Sequence, residues 1–439
     1  MLRTAIRVVV VVFMVAGPGY AKTQIHFWYG LKGYLGQQVQ RVCDRFNAAQ
    51  REFEILCVSK GNYDQALQAG IAAYRANKHP HILHGVDRAT ATLMLSGAVY
   101  PAYQLMADHD YQVDWTNYIE GISHYYASSD GKLYSFPFNS STPVTYLNLD
   151  MYAKAGIERP AETWEEFEDI LRRLKTAGIP CPIAFSTYLW VHLEQFSAIH
   201  DQPIATLGNG YEGLGAEFVF NQGLYVDHIK RLKRWLDDQL GSPAQAAFGI
   251  GTREAFAQGK CGHYFGSIAS HAAVNRDAKM RWTVAPVPHN AGGIPRNTTV
   301  GGASLWTLLG HPPEDYQAVA AFFDFLSSHE SQEFWSTVTG YVPVTKSAYA
   351  YLVNKGFYHQ APFKGREIAI ESLRRTQPGR HSRGIRLGNW VQARAALQEE
   401  LDKAMAGKKS VQQALDDAVR RGNVLLRRFE KQYQGKSLP

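Results

Sequence analysis

The chain has 439 residues, of which 45% are hydrophobic and 12% aromatic, and a formal net charge of +7. This composition argues against an intrinsically disordered protein, and the length exceeds what one compact core holds, so two domains are expected. The basic residues are scattered among acidic ones, which disfavours nucleic acid as a partner and indicates only a mild attraction for anions.

The N-terminus has the layout of a secretory signal peptide. Arg3 and Arg7 precede an apolar run over residues 8–16, and a small-residue pattern follows that ends at Ala21, after which cleavage is predicted. The run is far shorter than the ~20 residues of a membrane span. No cysteine precedes Cys43, so a lipid anchor at the cleavage site has no thiol to use. We therefore predict an exported, unanchored protein of a Gram-negative periplasm.

Strands and helices alternate in the first part of the mature chain. QIHFWYG (24–30), FEILCVS (53–59) and HILHGV (81–86) predict strands. Apolar residues at helical spacing between 35 and 46 predict one helix, and residues 63–77 predict another. Such alternation favours a parallel sheet covered by helices, with ligands at the carboxyl ends of the strands.

The segment FPFNSSTPVTYLN (136–148) separates two strand-like runs by small polar residues. A plain turn is the ordinary interpretation of such residues. However, no single Pro/Gly/Ser-rich linker divides the chain, so two domains would have to be joined by several thin crossovers. This segment is a candidate for one of them.

The later elements are marked by caps and by short apolar runs. Thr163 and Glu166 form a capping box for a helix that ends at Gly178, and Ser410 with Gln413 caps the final helix. Further strands are predicted over residues 182–187, 261–266, 282–288 and 299–309. In the last of these, Gly301 and Gly302 would allow a close approach to the backbone.

The sequence contains no recognisable catalytic or metal-binding motif. Its 16 histidines form neither H-E-x-x-H nor another tight ligand set, so no metal is predicted, and His192 and His200 are interpreted as ordinary residues. P-loop, G-x-S-x-G and G-x-G-x-x-G patterns are lacking, so no cofactor is predicted. Catalytic carboxylate pairs are not recognisable in one sequence, so an exported hydrolase stays open as an alternative.

The four cysteines, Cys43, Cys57, Cys181 and Cys261, include no C-x-x-C pair, which disfavours zinc and dithiol redox chemistry. An even number in an oxidising compartment favours disulfides and leaves three connectivities open. Buried free thiols are the alternative.

Several segments in order together resemble the periplasmic glycerol-3-phosphate-binding proteins of bacterial ABC importers. The resemblance runs from about residue 24 to 432 and includes GNYDQ, PFNSSTPV, TWEEFEDILRRLKTAG, GGASLW, TGYVPVTKSAY and GIRLGN. The T-W-x-x helix is shared with many sugar-binding relatives. The ordered set of GNYDQ, PFNSSTPV, GGASLW and GIRLGN is the specific part.

This resemblance implies an α/β, two-lobed clamshell, each lobe a sheet flanked by helices, with ligand held between the lobes. Lobe 1 is expected to comprise 22–139 plus about 290–341, and lobe 2 140–289 plus 342–439, with hinge segments near 139–143, 286–300 and 341–345. The NSST segment is then a crossover whose serines face the cleft. The resemblance also implies a Cys181–Cys261 disulfide in the second lobe. A Cys43–Cys57 bridge is compatible with a helix followed by a strand and is left open.

The resemblance places ligand contacts on six residues: Tyr63, Ser141, Ser267, Gly302, Tyr341 and Arg386. Arg386 would offer phosphate a planar fork of charged donors, the hydroxyls would donate hydrogen bonds, and Gly302 would leave its backbone N–H approachable. Taken singly, each hydroxyl is as well explained by a turn, a cap or packing.

Two positions depart from the family. Asp87 stands where the family usually has Glu, and Thr187 where glycerol-3-phosphate binders carry a pocket Trp. Both changes shorten a side chain, so we expect a cleft wide enough for a glycerophosphodiester, with neutral drift as the alternative. A quaternary ammonium group would favour aromatic faces. The candidates for those faces are Trp28, Tyr29, Tyr188 and Trp190.

The sequence therefore predicts a non-enzymatic, monomeric periplasmic protein. It would capture glycerol-3-phosphate or a glycerophosphodiester such as glycerophosphocholine and deliver it to a membrane ABC permease with its ATPase subunits. The alternatives are a neutral oligosaccharide-binding protein, which would have no need of Arg386, and an exported phosphodiesterase.

Overall fold

The computed structural model describes residues 22–439, so the predicted signal peptide lies outside the described residues. The strands are β1 Thr23–Tyr29, β2 Phe53–Ser59, β3 Ile82–Val86, β4 Val99–Tyr100, β5 Phe136–Ser141, β6 Pro143–Asn148, β7 Ile183–Phe185, β8 Gly241–Pro243, β9 His263–Ser267, β10 Trp282–Ala285 and β11 Gly301–Leu308.

The helices cover most of the remaining chain. They are α1 Gly33–Ala49, α2 Tyr63–Arg75, α3 Thr90–Leu95, α4 Ala102–Asp108, α5 Glu120–Tyr126, α6 Leu149–Lys154, α7 Trp164–Thr176, α8 Phe196–His200, α9 Thr206–Asn209, α10 Leu224–Asp237, α11 Ala244–Phe248, α12 Thr252–Ala257, α13 His271–Asp277, α14 Pro313–Ser327, α15 His329–Val338, α16 Lys346–Asn354, α17 Glu367–Arg374, α18 Trp390–Met405 and α19 Val411–Gln432. A π-helical turn, Trp190–Gln195, leads into α8.

Two sheets organise these elements. The first has the order β2-β1-β3-β11-β4, and β5 also pairs with β11. The second has the order β10-β6-β9-β7-β8. We call the bodies built on these sheets the first and the second lobe. The predicted two-lobed α/β architecture, with helices around each sheet, is confirmed.

The sheets are mixed rather than parallel, which corrects the expectation drawn from the alternation of strands and helices. Strands β1, β2 and β3 are parallel, but β11 runs antiparallel to β3, β4 and β5. In the second sheet β6 is antiparallel to both of its neighbours. The reason is the path of the chain: β11 enters the first sheet only after the chain has passed through the second.

The first passage of the chain from one sheet to the other takes a single residue. Strand β5 ends at Ser141 and β6 begins at Pro143, so Thr142 alone separates them. Thr142 is fully buried and its Oγ1 donates to the carbonyl oxygen of Thr299 at 3.1 Å. Because Thr299 lies in the segment that returns to β11, the two crossings are hydrogen-bonded side by side.

The helix capping boxes predicted from the sequence are present in the structure. Side chain and backbone bond reciprocally in the predicted capping boxes of α7, with Thr163 and Glu166, and of α19, with Ser410 and Gln413. A third box, Asn62 with Gln65, starts α2 and was not predicted. Each box satisfies donors that a helix start leaves unpaired, which is why these helix starts are readable from sequence.

The division of the chain into lobes stays a prediction. Helix α16 packs against α15, and Ser347 at its start exchanges hydrogen bonds with Asn117 of the first lobe. These contacts favour a third crossing beyond residue 354 rather than near 341–345.

Both cysteine pairs form disulfides. Cys43 and Cys57 join α1 to β2 with a Cα–Cα distance of 6.5 Å, and Cys181 and Cys261 are bridged at 4.6 Å within the second lobe. The bridge implied by the resemblance is therefore present, and the one left open is present too.

Among residues 22–439, no helix combines the length and apolar character that crossing a membrane requires.

Candidate functional site

A cleft of about 910 Å³ lies between the two lobes. The first lobe contributes the start of α2, the end of β3 and the start of β11, while the second contributes the end of β9, the segment after β7 and one face of α18. Ser141, at the crossover, lines it as well. Ligand sites at the carboxyl ends of strands are typical of α/β proteins.

Six of the eight predicted contact residues line this cleft, and the other two do not. The six are Tyr63, Asp87, Ser141, Ser267, Gly302 and Tyr341. They are far apart in the sequence but close together in the fold. Tyr63 and Tyr341, for example, are 278 residues apart in the chain, and their hydroxyls are hydrogen-bonded. Their roles toward a ligand stay a prediction.

A connected polar network holds the two tyrosines. Their hydroxyls are 3.2 Å apart, and Asn139 Nδ2 donates to Tyr63 Oη at 2.7 Å. Asn139 is in turn hydrogen-bonded to His84 Nε2, and both of these residues are fully buried. Asn139 and His84 were missed by sequence reasoning, since only the pairing of strands brings them together.

Gly302 occupies a position that other residues would not fit. Its φ is +115°, and a Cβ there would lie 2.0 Å from the carbonyl oxygen of Asn139. Its N–H donates to Asp87 Oδ2 at 3.2 Å. The backbone N–H of Gly302, which the resemblance assigned to the ligand, therefore already donates to Asp87 and orients its carboxylate.

Asp87 is a nearly buried carboxylate with 5% exposure. It accepts hydrogen bonds from the backbone N–H groups of Gly302 and Arg88, and the Arg88 guanidinium lies 3.9 Å away. Burial raises the pKa of Asp87, and the charge of Arg88 opposes that rise. Arg88 also donates to Asp64 at 2.6 Å.

The second lobe presents a matching charged pair. Glu194 is 3% exposed, and its Oε1 lies 3.0 Å from Arg394 Nε. Burial raises the pKa of Glu194 to about 7, while the charge of Arg394 lowers it and that of Asp87 raises it further.

The serine hydroxyls have local partners. Ser141 Oγ donates to the carbonyl oxygen of Gly301 at 3.3 Å, and Ser267 Oγ accepts from the N–H of Ala269 at 3.1 Å. Each hydroxyl keeps bonding capacity, because Ser141 can still accept and Ser267 can still donate. Trp190 also lines the cleft, but its Nε1 is buried and has no hydrogen-bond partner among residues 22–439.

Arg386 does not line the cleft, contrary to the expectation from the resemblance. Its side chain is buried at 2% exposure, where Nη2 donates to the carbonyl oxygens of Ala127 (2.6 Å) and Tyr125 (3.3 Å). Its guanidinium lies over the ring of Tyr211 at 4.3 Å. The hydrogen bonds to these two backbone carbonyls hold the Arg386 side chain away from the residues that line the cleft.

Thr187 is not among the residues that line the cleft either. It is 7% exposed, accepts from Gln398 Nε2 at 2.7 Å and donates to Asp402 at 3.3 Å. Gln398 itself lines the cleft, so Thr187 supports a lining residue.

The aromatic candidates divide in the same way. Tyr188 and Trp190 line the cleft with ring centroids 5.7 Å apart. Trp28 is covered by the Lys60 ammonium at 3.7 Å, and the hydroxyl of Tyr29 donates to the backbone of Gly36. Trp28 and Tyr29 are not among the lining residues.

Basic residues outnumber acidic ones along the cleft. The lining includes five basic side chains, Lys32, Arg88, Arg253, Arg276 and Arg394, against two acidic ones, Asp64 and Asp87. Four of the five are paired with carboxylates: Arg88 with Asp64 and Asp87, Arg253 with Glu254, Arg276 with Asp277, and Arg394 with Glu194. The cleft therefore offers charged hydrogen-bond donors to an anionic ligand, while most of their charge is compensated by neighbouring carboxylates.

Comparisons with known proteins agree with this geometry. The family of bacterial extracellular solute-binding proteins matches residues 41–362. The chain is 39% identical over 435 residues to the sn-glycerol-3-phosphate-binding periplasmic protein UgpB of Pectobacterium atrosepticum, covering 98% of this chain and 97% of that protein. It is 40% identical over 416 residues to the protein of that name from Escherichia coli, covering 94% of each.

Solved structures share the fold. UgpB from Mycobacterium tuberculosis in complex with glycerophosphocholine matches with a TM-score of 0.75 at 19% identity, over 93% of this chain and 100% of that one. An ABC substrate-binding protein from Listeria monocytogenes in complex with cycloalternan matches with a TM-score of 0.77 at 16% identity, over 92% and 99%.

The conformation of Gly302 generates a stability prediction. We expect Gly302→Ala to lower the free energy of unfolding by about 3 kcal/mol or more, because it combines a left-handed φ with a clash against Asn139. Gly97→Ala is the matched control: its φ is +73° with nothing within 4 Å, so it should cost only about 1 kcal/mol. Urea denaturation of both variants measures this, and equal losses would contradict it.

Burial of Glu194 generates a pH prediction. Because its pKa is raised from 4.5 to about 7 in the folded protein, the native state binds the extra proton between those values. Stability relative to Glu194→Gln should therefore fall, on the order of 2 kcal/mol, as pH rises from about 4.5 to 7. Denaturation midpoints across this range measure the difference. A trend of opposite sign for Glu194 would refute the assignment.

Proposed function

The chain belongs to the bacterial extracellular solute-binding proteins, and we propose that it captures glycerol-3-phosphate or a glycerophosphodiester such as glycerophosphocholine for uptake by an ABC importer. The observation that carries this proposal is the cleft between the lobes, in which hydroxyl donors and arginines from both sides converge. The relatives named for sn-glycerol-3-phosphate and the structure solved with glycerophosphocholine support the choice of ligand.

The phosphate would lie among hydroxyl and guanidinium donors. Ser141, Ser267 and Tyr341 would donate to its oxygens, with Arg88 and Arg394 in the cleft wall. An enclosed phosphate loses its contacts with water, so it requires such donors in their place. A neutral oligosaccharide does not require five basic side chains around its binding cleft. An oligosaccharide-binding protein is therefore the weaker alternative.

The remaining groups suit the two ends of a diester. Asp87 and Tyr63 would bond the glycerol hydroxyls, because a carboxylate fixed by backbone N–H groups keeps lone pairs for further donors. A choline group would lie against the faces of Tyr188 and Trp190, with the carboxylate of Asp87 in the same cleft.

Ligand capture would proceed by a shift between open and closed arrangements of the lobes. A ligand that contacts both lobes binds the closed arrangement better and populates it by that difference in affinity. The single-residue crossing at Thr142 is short enough to act as a hinge. We further propose that the chain is cleaved after Ala21, works as a periplasmic monomer without catalytic activity, and passes its ligand to a membrane permease with ATPase subunits.

Titration calorimetry tests the proposed ligands. We expect glycerophosphocholine to bind stoichiometrically and at least as tightly as glycerol-3-phosphate, because its choline group adds contacts with the aromatic rings of Tyr188 and Trp190 in the cleft wall. Phosphorus NMR of the same samples should show no product. Release of choline would establish a phosphodiesterase instead, and binding of the monoester alone would refute the widened cleft.

The Thr187→Trp variant tests the width of the cleft. An indole at this buried position would displace Gln398 into the cleft, so we expect a loss of at least about tenfold in affinity for glycerophosphocholine and a change within about threefold for glycerol-3-phosphate. Thr187→Val, of equal size, is the control and should leave both affinities within about threefold. Equal losses for the two ligands would mean that Thr187 does not discriminate between them.

A further inference from the structure

Three hydrogen-bonded side chains form a triangle beside the cleft in the second lobe. They are Thr187, in the segment after β7, and Gln398 and Asp402, which lie one turn apart on α18. Gln398 lines the cleft, while Thr187 and Asp402 are not among the lining residues. The triangle therefore meets a ligand through Gln398.

The hydrogen bonds of the triangle fix the orientation of the Gln398 amide. Its Nε2 donates to Asp402 Oδ1 at 2.8 Å and to Thr187 Oγ1 at 2.7 Å, and Thr187 Oγ1 donates to Asp402 Oδ1 at 3.3 Å. An ionised carboxylate only accepts hydrogen bonds, so the amide atom beside Asp402 must be the nitrogen. The reversed amide would lose its bond to Asp402 and place its oxygen against a negative charge.

Both N–H groups of the Gln398 amide are thereby used, and its carbonyl oxygen is left. Oε1 accepts no hydrogen bond from residues 22–439, and it is not one of the buried polar atoms that lack a partner. It is therefore accessible from the cleft that Gln398 lines. Gln398 offers a ligand an acceptor, in contrast to the hydroxyl and guanidinium donors elsewhere in the cleft wall.

Asp402 adds a negative charge behind this acceptor. The hydrogen bonds that its carboxylate accepts come from the neutral side chains of Thr187 and Gln398. The next residue, Lys403, is paired with Glu400 at 2.8 Å instead. This part of the cleft wall therefore attracts positive charge and hydrogen-bond donors.

We propose that Gln398 Oε1, held in place by Thr187 and Asp402, selects a glycerophosphodiester whose second alcohol carries a primary ammonium, such as ethanolamine, over the choline ester. This inference rests on the proposed function, since it concerns the ligand of the same cleft. A primary ammonium has three N–H donors and a positive charge, and Gln398 and Asp402 complement both. The quaternary ammonium of choline has no N–H, so it gains no hydrogen bond from Gln398.

The spacing along α18 fits such an ester. Arg394, which the proposed function places beside the phosphate, lies four residues before Gln398, or about 6 Å along the helix axis at about 1.5 Å per residue. In the ethanolamine ester one oxygen and two carbons separate the nitrogen from the phosphorus, which is a similar span. A phosphate beside Arg394 therefore leaves the ammonium within reach of Gln398.

Titration calorimetry with glycerophosphoethanolamine and glycerophosphocholine tests the proposal. We expect the ethanolamine ester to bind at least about fivefold more tightly at neutral pH, because it gains a charged hydrogen bond. Gln398→Met keeps the length of the side chain and removes the acceptor, so the ratio of the two affinities should fall to about one.

The Asp402→Asn variant tests the positioning charge. It keeps an acceptor for the Gln398 amide and removes the negative charge, so the ratio of the two affinities should fall by about threefold. A merely structural role of Asp402 would weaken both esters alike and leave the ratio unchanged. Far-UV circular dichroism confirms that each variant is folded.

Gln392→Met is the matched control, since Gln392 is exposed on the same helix and does not line the cleft. It should keep the affinity ratio of the unaltered protein. A choline ester bound as tightly as the ethanolamine ester, or a ratio that Gln398→Met leaves unchanged, would overturn this inference and leave the proposed function standing. Binding of neither ester would refute the proposed function and this inference with it.

Discussion

The first crossing between the two lobes consists of one fully buried residue, Thr142, and the geometry of the cleft depends on it. Because one residue separates the two strands, the end of β5 in the first sheet and the start of β6 in the second sheet lie at the same place. The hydrogen bond from Thr142 to Thr299 fixes the returning segment beside it, and Gln195 of the second lobe donates to the same carbonyl. Ser141 in β5 and Gly302 in β11, on neighbouring strands of the first sheet, are thereby held in the cleft wall beside this junction.

Charge compensation is the second condition for the cleft. Asp87 and Glu194 are nearly buried carboxylates on opposite lobes, and each has an arginine beside it. Removing such charges from water is expensive unless ion pairs and hydrogen bonds replace the lost contacts. The arrangement leaves a polar space lined by guanidinium and hydroxyl donors, which a ligand with an anionic centre and hydroxyl groups complements.

The sequence predicted the features that local hydrogen bonds determine, and it did not predict those that tertiary contacts determine. The capping box at Thr163 marked a helix start because its hydrogen bonds are local. The glycines of GGASLW were recognised as sites of close approach, and Gly302 has that role. The resemblance identified five residues that line the cleft, and Asp87, a departure from the family, lines it too. It could not reveal the direction of a side chain, so Arg386 was expected in the cleft but bonds to the backbone of Tyr125 and Ala127. Glu194 pairs with Arg394, 200 residues further along the chain, and had no readable signal.

The central claim is that a glycerophosphate ester is enclosed between the lobes beside the Thr142 crossing. A crystal structure of the protein grown with glycerophosphocholine tests it most directly. We predict density for one ligand in the cleft, with its phosphate within hydrogen-bonding distance of Ser141 and Ser267 and its choline against Tyr188 and Trp190. A ligand bound outside the cleft, or an empty cleft at saturating ligand, would contradict the claim.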